Sequence, residues 1–267
     1  MNEISWNCVV QGSSRNFPLL FLHGFMGSSF EWMEIIINLK KSCYCLALDL
    51  PGHGKTEIKG NDSCYSIQFT AKEICRFLQD LKIEKSYLIG YSMGGRLALY
   101  LSVFYPEYFQ GIVLESTSPG IENVRERIKR QKRDKKNAKE LKTGDFGKFL
   151  ERWYSQPLFQ SLKEHPKFSE LFKQRLVNDS FGLAKSLRFM GTGTQPSLWL
   201  NLKEIKIPVL ILAGEKDEKF SKIAFQMEEL IPNCKVHIVK GSGHNIHFER
   251  PDIFIKHTHE FLINKGE

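Results

Sequence analysis

A serine framed by glycines has the surroundings of a nucleophile or of a base that transfers protons. Ser92 lies in GYSMGGR, residues 90–96, after the apolar run SYLI and before the helical stretch RLALYLSVF. This context predicts a sharp turn between a strand and a helix, and Gly90 and Gly94 allow the close backbone approach that such a turn requires. A serine hydroxyl reacts efficiently only when an imidazole removes its proton and a carboxylate fixes the imidazole tautomer.

The carboxylate and the imidazole are expected after the serine, in the chain order serine, acid, histidine. His244, in GSGHNIHFERP, follows a late strand and precedes the last helix, which makes it the predicted base. His247 is the rival base and is expected to pack or bond locally instead. Asp217, in LAGEKDEKF, is the predicted acid. Glu215 and Glu218 compete with it, but the extra methylene of glutamate would change the reach to the histidine.

Backbone amides next to the serine would stabilise an oxyanion or an enolate. We expect these donors to be Met93, which follows the serine, and Phe25 in HGFMGS. Arg96 lies one helical turn after Ser92, so its side chain can reach the space above the serine. A hydrolase of neutral esters has no use for this cation. Asp49, in DLPGHGKT, precedes the serine in the chain, so we expect it to be structural.

The elements that would position these residues alternate along both ends of the chain, as in a mostly parallel sheet covered by helices. The predicted strands are 18–24, 44–50, 86–92, 111–117, 208–214 and 235–241, with a further antiparallel strand near 4–10. The predicted helices are 29–40, 66–82, 93–105, 220–230 and 251–263. The fold class is therefore α/β.

The alternation stops between residues 119 and 200, where the chain becomes helical, basic and aromatic. Large apolar residues recur there every three or four positions, as in DFGKFLERWYSQPLF. An insertion over one edge of the sheet explains this pattern. We expect a core built from residues 1–118 and 201–267, with a helical cap from 119 to 200.

Composition is that of an ordinary soluble globular protein, and we expect it in the cytoplasm. The chain has 267 residues, of which 42% are hydrophobic, and its start lacks the basic and apolar regions of a signal peptide. No apolar run approaches the length of a membrane span. The six cysteines form no CxxC pair, so we expect reduced thiols, no disulfide and no metal site.

The formal net charge of +8 is concentrated in RERIKRQKRDKK, residues 125–136. This run lacks the glycines and aromatic residues of single-strand binders, so nucleic acid is not an expected partner. Most of its side chains are expected to cover a solvated helix face. One or two of them could instead point into a pocket for an anionic substrate.

With these residues assembled, the chain resembles α/β-hydrolase-fold proteins over its whole length. More narrowly, it resembles the 2-succinyl-6-hydroxy-2,4-cyclohexadiene-1-carboxylate synthases of menaquinone and phylloquinone biosynthesis. LHGFMGS, DLPGHG, GYSMGG and GHNIHFE occur in many esterases, so the narrower resemblance rests on GYSMGGR, ESTSPGIENVRERIKRQ, WYSQPLF and GTGTQPSLW. Three of these four motifs lie in or border the insertion, which normally shapes substrate choice in this fold.

The resemblance implies a role for each matching position. It implies a Ser92, Asp217 and His244 triad, substrate carboxylates held by Arg96, Arg130 and Arg175, and a pocket lined by Tyr91, Trp153 and Tyr154. Whether Arg127 or Arg130 faces the pocket stays open. The implied reaction eliminates pyruvate from 2-succinyl-5-enolpyruvyl-6-hydroxy-3-cyclohexene-1-carboxylate, with no metal and no other cofactor.

Other functions remain compatible with the same residues. A serine carboxylesterase, a thioesterase or a carbon–carbon bond hydrolase acting on a small anionic substrate would use the same triad. A receptor for a small ligand could also retain it without turnover. The sequence does not separate the menaquinone from the phylloquinone pathway, and we expect a monomer or a weak homo-oligomer.

Overall fold

The computed structural model describes residues 3–263, and the strands within that range are short and mostly buried. They are β1 (Glu3–Ser5), β2 (Cys8–Gln11), β3 (Phe17–Leu22), β4 (Cys43–Leu48), β5 (Glu57–Lys59), β6 (Ser86–Tyr91), β7 (Phe109–Glu115), β8 (Val209–Gly214) and β9 (Cys234–Val239). Seven of them form one sheet in the order β2-β4-β3-β6-β7-β8-β9. β2 pairs antiparallel with β4, whereas the other neighbours in the sheet are parallel.

Some helices of the described residues cover this sheet, and the others belong to an insertion between β7 and β8. They are α1 (Met33–Leu39), α2 (Ile67–Asp80), α3 (Met93–Phe104), α4 (Val124–Thr143), α5 (Phe146–Tyr154), α6 (Gln160–Glu164), α7 (Phe168–Leu176), α8 (Ser180–Phe189), α9 (Glu218–Leu230), α10 (Ile246–Glu249) and α11 (Pro251–Ile263). α3 packs against β6 and β7, and α1 packs against α11.

Both faces of the sheet are buried, which explains why its strands are nearly continuous apolar runs. In β3, Leu20 and Leu22 belong to the core on one face, while Leu19 and Phe21 belong to the core on the other. Because successive side chains of a strand point to opposite faces, most residues of such a strand are apolar. The expected mostly parallel sheet flanked by helices is what the structure contains.

Helices α4 to α8 lie between β7 and β8 in the chain and have an apolar core of their own. Phe149, Leu150, Leu171 and Leu183 are buried in it together with Met26, which comes from the loop after β3. This shared core fixes the insertion over the carboxyl end of the sheet, where the predicted site lies. The division of the chain at residues 119 and 200 stays a prediction.

Two local features differ from the expectations. β1 pairs antiparallel with β5 in a two-stranded sheet, and these three-residue strands are too short to show a periodic pattern. The expected helix at 29–40 begins as a 3₁₀ turn, Ser29–Trp32, in which the amide of Ser29 donates to the Asp49 carboxylate.

The six cysteines are free thiols. Among the described helices, none combines the length and the apolar character needed to cross a membrane.

Candidate active site

The turn that carries Ser92 is strained in the way that an exposed nucleophile requires. Ser92 has φ 48° and ψ −101°, a conformation that residues with a side chain rarely adopt. Two close backbone approaches hold it. A Cβ on Gly94 would come within 2.0 Å of the Leu22 carbonyl oxygen, and one on Gly90 would come within 2.6 Å of the Gly94 carbonyl oxygen. Glycine at both positions is therefore a steric requirement of this turn.

Ser92, His244 and Asp217 form a continuous chain of contacts. His244 Nε2 lies 3.2 Å from Ser92 Oγ, and His244 Nδ1 lies 2.6 Å from Asp217 Oδ2. The histidine and the aspartate are both buried. With its Nδ1–H donated to the aspartate, the imidazole presents the lone pair of Nε2 to the serine hydroxyl, which is the tautomer that accepts a proton.

Asp217 occupies the residue before helix α9, and its two carboxylate oxygens have different partners. Oδ1 accepts the amide of Phe220 in the first turn of the helix, so Oδ2 is directed at His244. The Phe220 ring lies 4.7 Å from the His244 ring, and Phe159 of the insertion lies 5.8 Å from it. The base is thus enclosed by aromatic side chains from both parts of the chain.

A cavity of about 550 Å³ lies between the sheet and the insertion, over the Ser92 hydroxyl. Its lining includes Ser92 and His244 together with the expected oxyanion donors and aromatic residues, which are Phe25, Met93, Tyr91, Trp153 and Tyr154. Met93 is the first residue of α3, so its amide has no partner within the helix. That amide can serve an oxygen of a ligand in the cavity.

Arg96 is 8% exposed and lines this cavity. Its Nη1 donates to the carbonyl oxygen of Met190 at 2.9 Å and to the side-chain oxygen of Gln195. Both acceptors are uncharged. Burial and the charge of Arg130 lower the pKa of Arg96 to about 9, which leaves the guanidinium charged at neutral pH. A buried cation with neutral partners can bind an anion.

Arg130 also lines the cavity, whereas Arg127 is not among the lining residues. The Arg130 side chain is 27% exposed, and its Nε donates to Asp134 Oδ1 at 2.8 Å. This pairing with a residue four positions further along helix α4 fixes the guanidinium and leaves its other nitrogens for a ligand.

Arg175 lines the cavity from helix α7 but has a protein carboxylate as its partner. Its Nη2 forms a buried ion pair with Glu31, and its Nε donates to the Tyr154 hydroxyl at 3.1 Å. Burial lowers the pKa of Arg175 to about 9. Because Glu31 follows the loop after β3, this ion pair ties the insertion to the sheet. Whether Arg175 also contacts the substrate stays a prediction.

Two further cations of the cavity were not among the expected residues. Arg133 donates from Nη2 to Gln156 at 2.7 Å, and Lys219 comes from the first turn of α9. Burial, with the neighbouring charge of Arg130, lowers the pKa of Lys219. The position of Lys219, two residues after the predicted acid, was the available signal, but sequence spacing does not show on which side of a helix the cavity lies.

The rival residues are engaged elsewhere. His247 Nδ1 lies 2.7 Å from Glu115, and Glu215 accepts the amide of Gly241. Glu218 is exposed. Asp49 accepts the amides of Ser29 and Lys55 and the Asn7 side chain, so it braces two loops at the edge of the site.

Comparison with known proteins identifies the fold. The family model of the α/β-hydrolase fold matches residues 18–251. The solved structure of MenH from S. aureus covers 96% of this chain and 97% of its own, with 38% sequence identity and a TM-score of 0.91. The expected α/β-hydrolase fold is thereby confirmed.

Two curated relatives carry a narrower name. A protein of Bacillus subtilis (strain 168), a putative 2-succinyl-6-hydroxy-2,4-cyclohexadiene-1-carboxylate synthase, is 39% identical over 95% of this chain and 93% of its own. A synthase of the same name from Serratia proteamaculans (strain 568) is 32% identical over 96% of this chain and 97% of its own. This chain therefore belongs to the α/β-hydrolase fold family and, within it, to the 2-succinyl-6-hydroxy-2,4-cyclohexadiene-1-carboxylate synthases.

Proposed function

We propose that the chain eliminates pyruvate from 2-succinyl-5-enolpyruvyl-6-hydroxy-3-cyclohexene-1-carboxylate to give 2-succinyl-6-hydroxy-2,4-cyclohexadiene-1-carboxylate. The name of the relatives supports the product. The observation that carries the mechanism is the combination of the Ser92–His244–Asp217 contacts with a buried, charged Arg96 one helical turn from the serine. A hydrolytic triad has no need of such a cation, whereas a base that acts on a carboxylate-rich substrate does.

In this proposal Ser92 is the base that removes a proton from carbon. His244 accepts the serine proton at Nε2, and Asp217 stabilises the imidazolium that forms. The serine oxygen then takes the acidic proton alpha to the succinyl ketone. The contact of 3.2 Å between Ser92 and His244 is close enough for the first transfer.

The electrons left on the substrate move away from the carbon that lost the proton. The ketone oxygen gains negative charge as an enolate, and the amides of Phe25 and Met93 would donate hydrogen bonds to it. Collapse of the enolate forms the new ring double bond, shifts the existing one and breaks the carbon–oxygen bond to the enolpyruvyl group. The leaving group takes up a proton and is released as pyruvate, so no bond to the protein forms.

The substrate carries three carboxylates, and the cavity offers cations for them. Arg96 and Arg130 are proposed to hold two carboxylates, because planar guanidinium donors match a carboxylate in a two-pronged geometry. Lys219 and Arg133 are further lining cations. Tyr91, Trp153 and Tyr154 would pack against the ring and exclude water.

The direct test is incubation with the synthesised cyclohexene substrate and measurement of pyruvate release by a coupled dehydrogenase assay. Release that depends on the protein and is lost in Ser92→Ala and in His244→Ala is the expected result. The double variant should be no worse than either single one, because residues of one relay are non-additive. A folded protein that releases no pyruvate would refute the proposal.

A second measurement separates elimination from acyl transfer. Rapid quench and intact-mass analysis during turnover should find the unmodified mass, because Ser92 moves a proton and forms no ester. An acyl-enzyme that accumulates on Ser92 with this substrate would assign the chain to the hydrolases instead.

A further inference from the structure

Gln195 is a buried residue that contacts Arg96 and has no role in the mechanism above. It is 2% exposed, and its side-chain oxygen accepts a hydrogen bond from Arg96 Nη1 beside the Met190 carbonyl. The two acceptors hold one nitrogen of the guanidinium from the side of the insertion. The remaining donors of a guanidinium are fixed relative to that nitrogen, because the group is planar and rigid.

The partner of Arg96 differs in charge from the partners of the two other arginines of the cavity that were expected to bind carboxylates. Arg175 meets the carboxylate of Glu31, and Arg130 meets the carboxylate of Asp134. Arg96 meets an amide. A carboxylate is the stronger acceptor for a buried guanidinium, and it would neutralise the charge. The amide fixes the guanidinium and adds no charge of its own; the Asp134 carboxylate acts on Arg96 electrostatically, but its hydrogen-bonded partner is Arg130.

The Gln195 amide leaves one hydrogen-bond donor unpaired in the protein interior. Gln195 Nε2 is buried and has no hydrogen-bond partner among the described residues. A Cβ placed on Gly120 would come within 3.1 Å of this nitrogen, so the amide group is closely packed there. An unpaired buried donor destabilises the fold, whereas a glutamate would form an ion pair with the arginine and leave an equally unpaired carboxylate oxygen in its place. The amide therefore offers no gain in stability over a carboxylate.

The backbone around Gln195 holds its side chain in register with Arg96. The amides of Thr194 and Gln195 donate to the Gly191 carbonyl, and Gln131 of helix α4 donates to the carbonyl of Gly193. The segment is therefore a braced turn against the long helix of the insertion, and it presents one side chain to the arginine.

We propose that Gln195 is a specificity-determining residue. It positions the guanidinium of Arg96 with an uncharged acceptor and so reserves the charge for a carboxylate of the substrate. The identity of that substrate rests on the proposed function, but the preference for an anion in the cavity does not.

The sharpest test is Gln195→Glu, which keeps the size of the side chain and adds a competing carboxylate. Pyruvate release should fall by about 100-fold or more in kcat/KM, the size of effect seen when a buried charge loses its partner. Hydrolysis of a small neutral ester should stay within about 2-fold, because the triad is untouched. The midpoint of thermal unfolding should stay the same or rise. A loss of stability, or an equal loss on both substrates, would overturn the inference.

Two further variants distinguish the effect of where a carboxylate is placed in the cavity from the effect of losing the acceptor of Arg96. Gln156→Glu is the matched control, because it places a carboxylate against Arg133 in the same cavity, and its effect on pyruvate release should be clearly smaller than that of Gln195→Glu. Gln195→Met removes the acceptor without adding charge and should lower kcat/KM by about 10-fold. In an Arg96→Ala background Gln195→Met should cost nothing further. An undiminished loss in that background would show that Gln195 does not act through Arg96.

A binding measurement keeps this inference distinguishable from the proposed function. Calorimetric titration with phthalate, an aromatic dicarboxylate, needs no turnover. The unmodified protein should bind phthalate, and Gln195→Glu should weaken the binding by at least about 10-fold. If pyruvate is never released but this difference is found, the proposed function fails and the inference stands. Failure of the unmodified protein to bind phthalate, or equal binding by both proteins, would overturn the inference.

Discussion

Glu115 and His247 form a buried pair directly behind the base, with Oε2 of the glutamate 2.7 Å from Nδ1 of the histidine. Oε1 of the same carboxylate accepts the backbone amides of Ile246 and His247. Because Glu115 ends strand β7, the sheet itself holds the loop that carries His244. Glu249 adds to this by accepting the amides of Gly243 and Asn245 on either side of the base.

Replacing Glu115 with alanine should therefore damage both the fold and the base. The amides of Ile246 and His247 and the His247 ring would lose their acceptor in the protein interior. This loss should lower the free energy of unfolding by about 3–5 kcal/mol. Glu115→Gln keeps one acceptor and should cost less, while still lowering kcat because the loop loses part of its anchor. Denaturant unfolding and pyruvate release measure the two effects. Unchanged stability in Glu115→Ala would contradict this interpretation.

His23 and His53 give the stability a defined dependence on pH. Their rings lie 4.9 Å apart in the loops beside the site. Burial lowers the pKa of His23 to about 4 and that of His53 to about 3. Near pH 6 the unfolded chain binds protons that the folded chain does not, so stability is complete above about pH 6.5 and declines as the pH falls toward 4.

The contribution of one of these histidines can be isolated with His53→Asn, which removes the titrating group. Urea unfolding at pH 7, 6 and 5 should show a shallower decline of the unfolding free energy in the variant than in the unmodified protein. Below about pH 6 the two slopes should differ by about 1.4 kcal/mol per pH unit, because the variant takes up one proton fewer when it unfolds. Identical slopes for His53→Asn and the unmodified protein would refute the assignment.

The ion pair between Arg175 and Glu31 predicts a stability effect distinct from substrate binding. Arg175→Met leaves a buried carboxylate unpaired and should lower the free energy of unfolding by about 3–5 kcal/mol. The double change Arg175→Met with Glu31→Met removes both charges and should cost less than Arg175→Met alone. If Arg175→Met instead kept full stability and raised only the KM for the anionic substrate, the main role of Arg175 would be to bind the substrate.

Much of this arrangement could be predicted from the sequence, because local patterns determine it. The strands are buried on both faces and therefore appear as apolar runs, and Ser92 lies between one such run and a helix. The order of acid and base along the chain then follows from the fold. Asp217 and His244 come from the carboxyl ends of neighbouring strands, so a parallel sheet brings them together.

The remaining features depend on contacts between distant segments, which no local pattern reveals. Arg175 and Glu31 are 144 positions apart, and Arg96 and Gln195 are 99 apart. The resemblance implied a role for Arg175 in binding a substrate carboxylate but could not show that the Glu31 carboxylate already pairs with it. Lys219 faces the cavity because of the direction in which α9 leaves the sheet, and that direction is set by packing rather than by spacing.

Substitutions of Arg96 give the test that best distinguishes a lyase from an esterase. Arg96→Ala leaves a substrate carboxylate desolvated and unpaired, which should cost roughly 2–5 kcal/mol in kcat/KM for pyruvate release. Arg96→Lys should recover part of that loss, because a point charge restores attraction but not the two-pronged geometry.

The control for Arg96 is hydrolysis of a small neutral ester by the same triad, which should change little in either variant. Arg76→Ala, on the exposed side of α2, serves as the matched control for removing an arginine, and it should leave both activities intact. Stability also has to be compared, since Arg96 bonds Met190 and Gln195 and so joins α3 to the insertion. If Arg96→Ala lowered the rates of the neutral and the anionic reactions equally, the role of the arginine would be to hold the serine turn in place. The substrate carboxylate assigned to Arg96 would then have to be bound by another cation of the cavity.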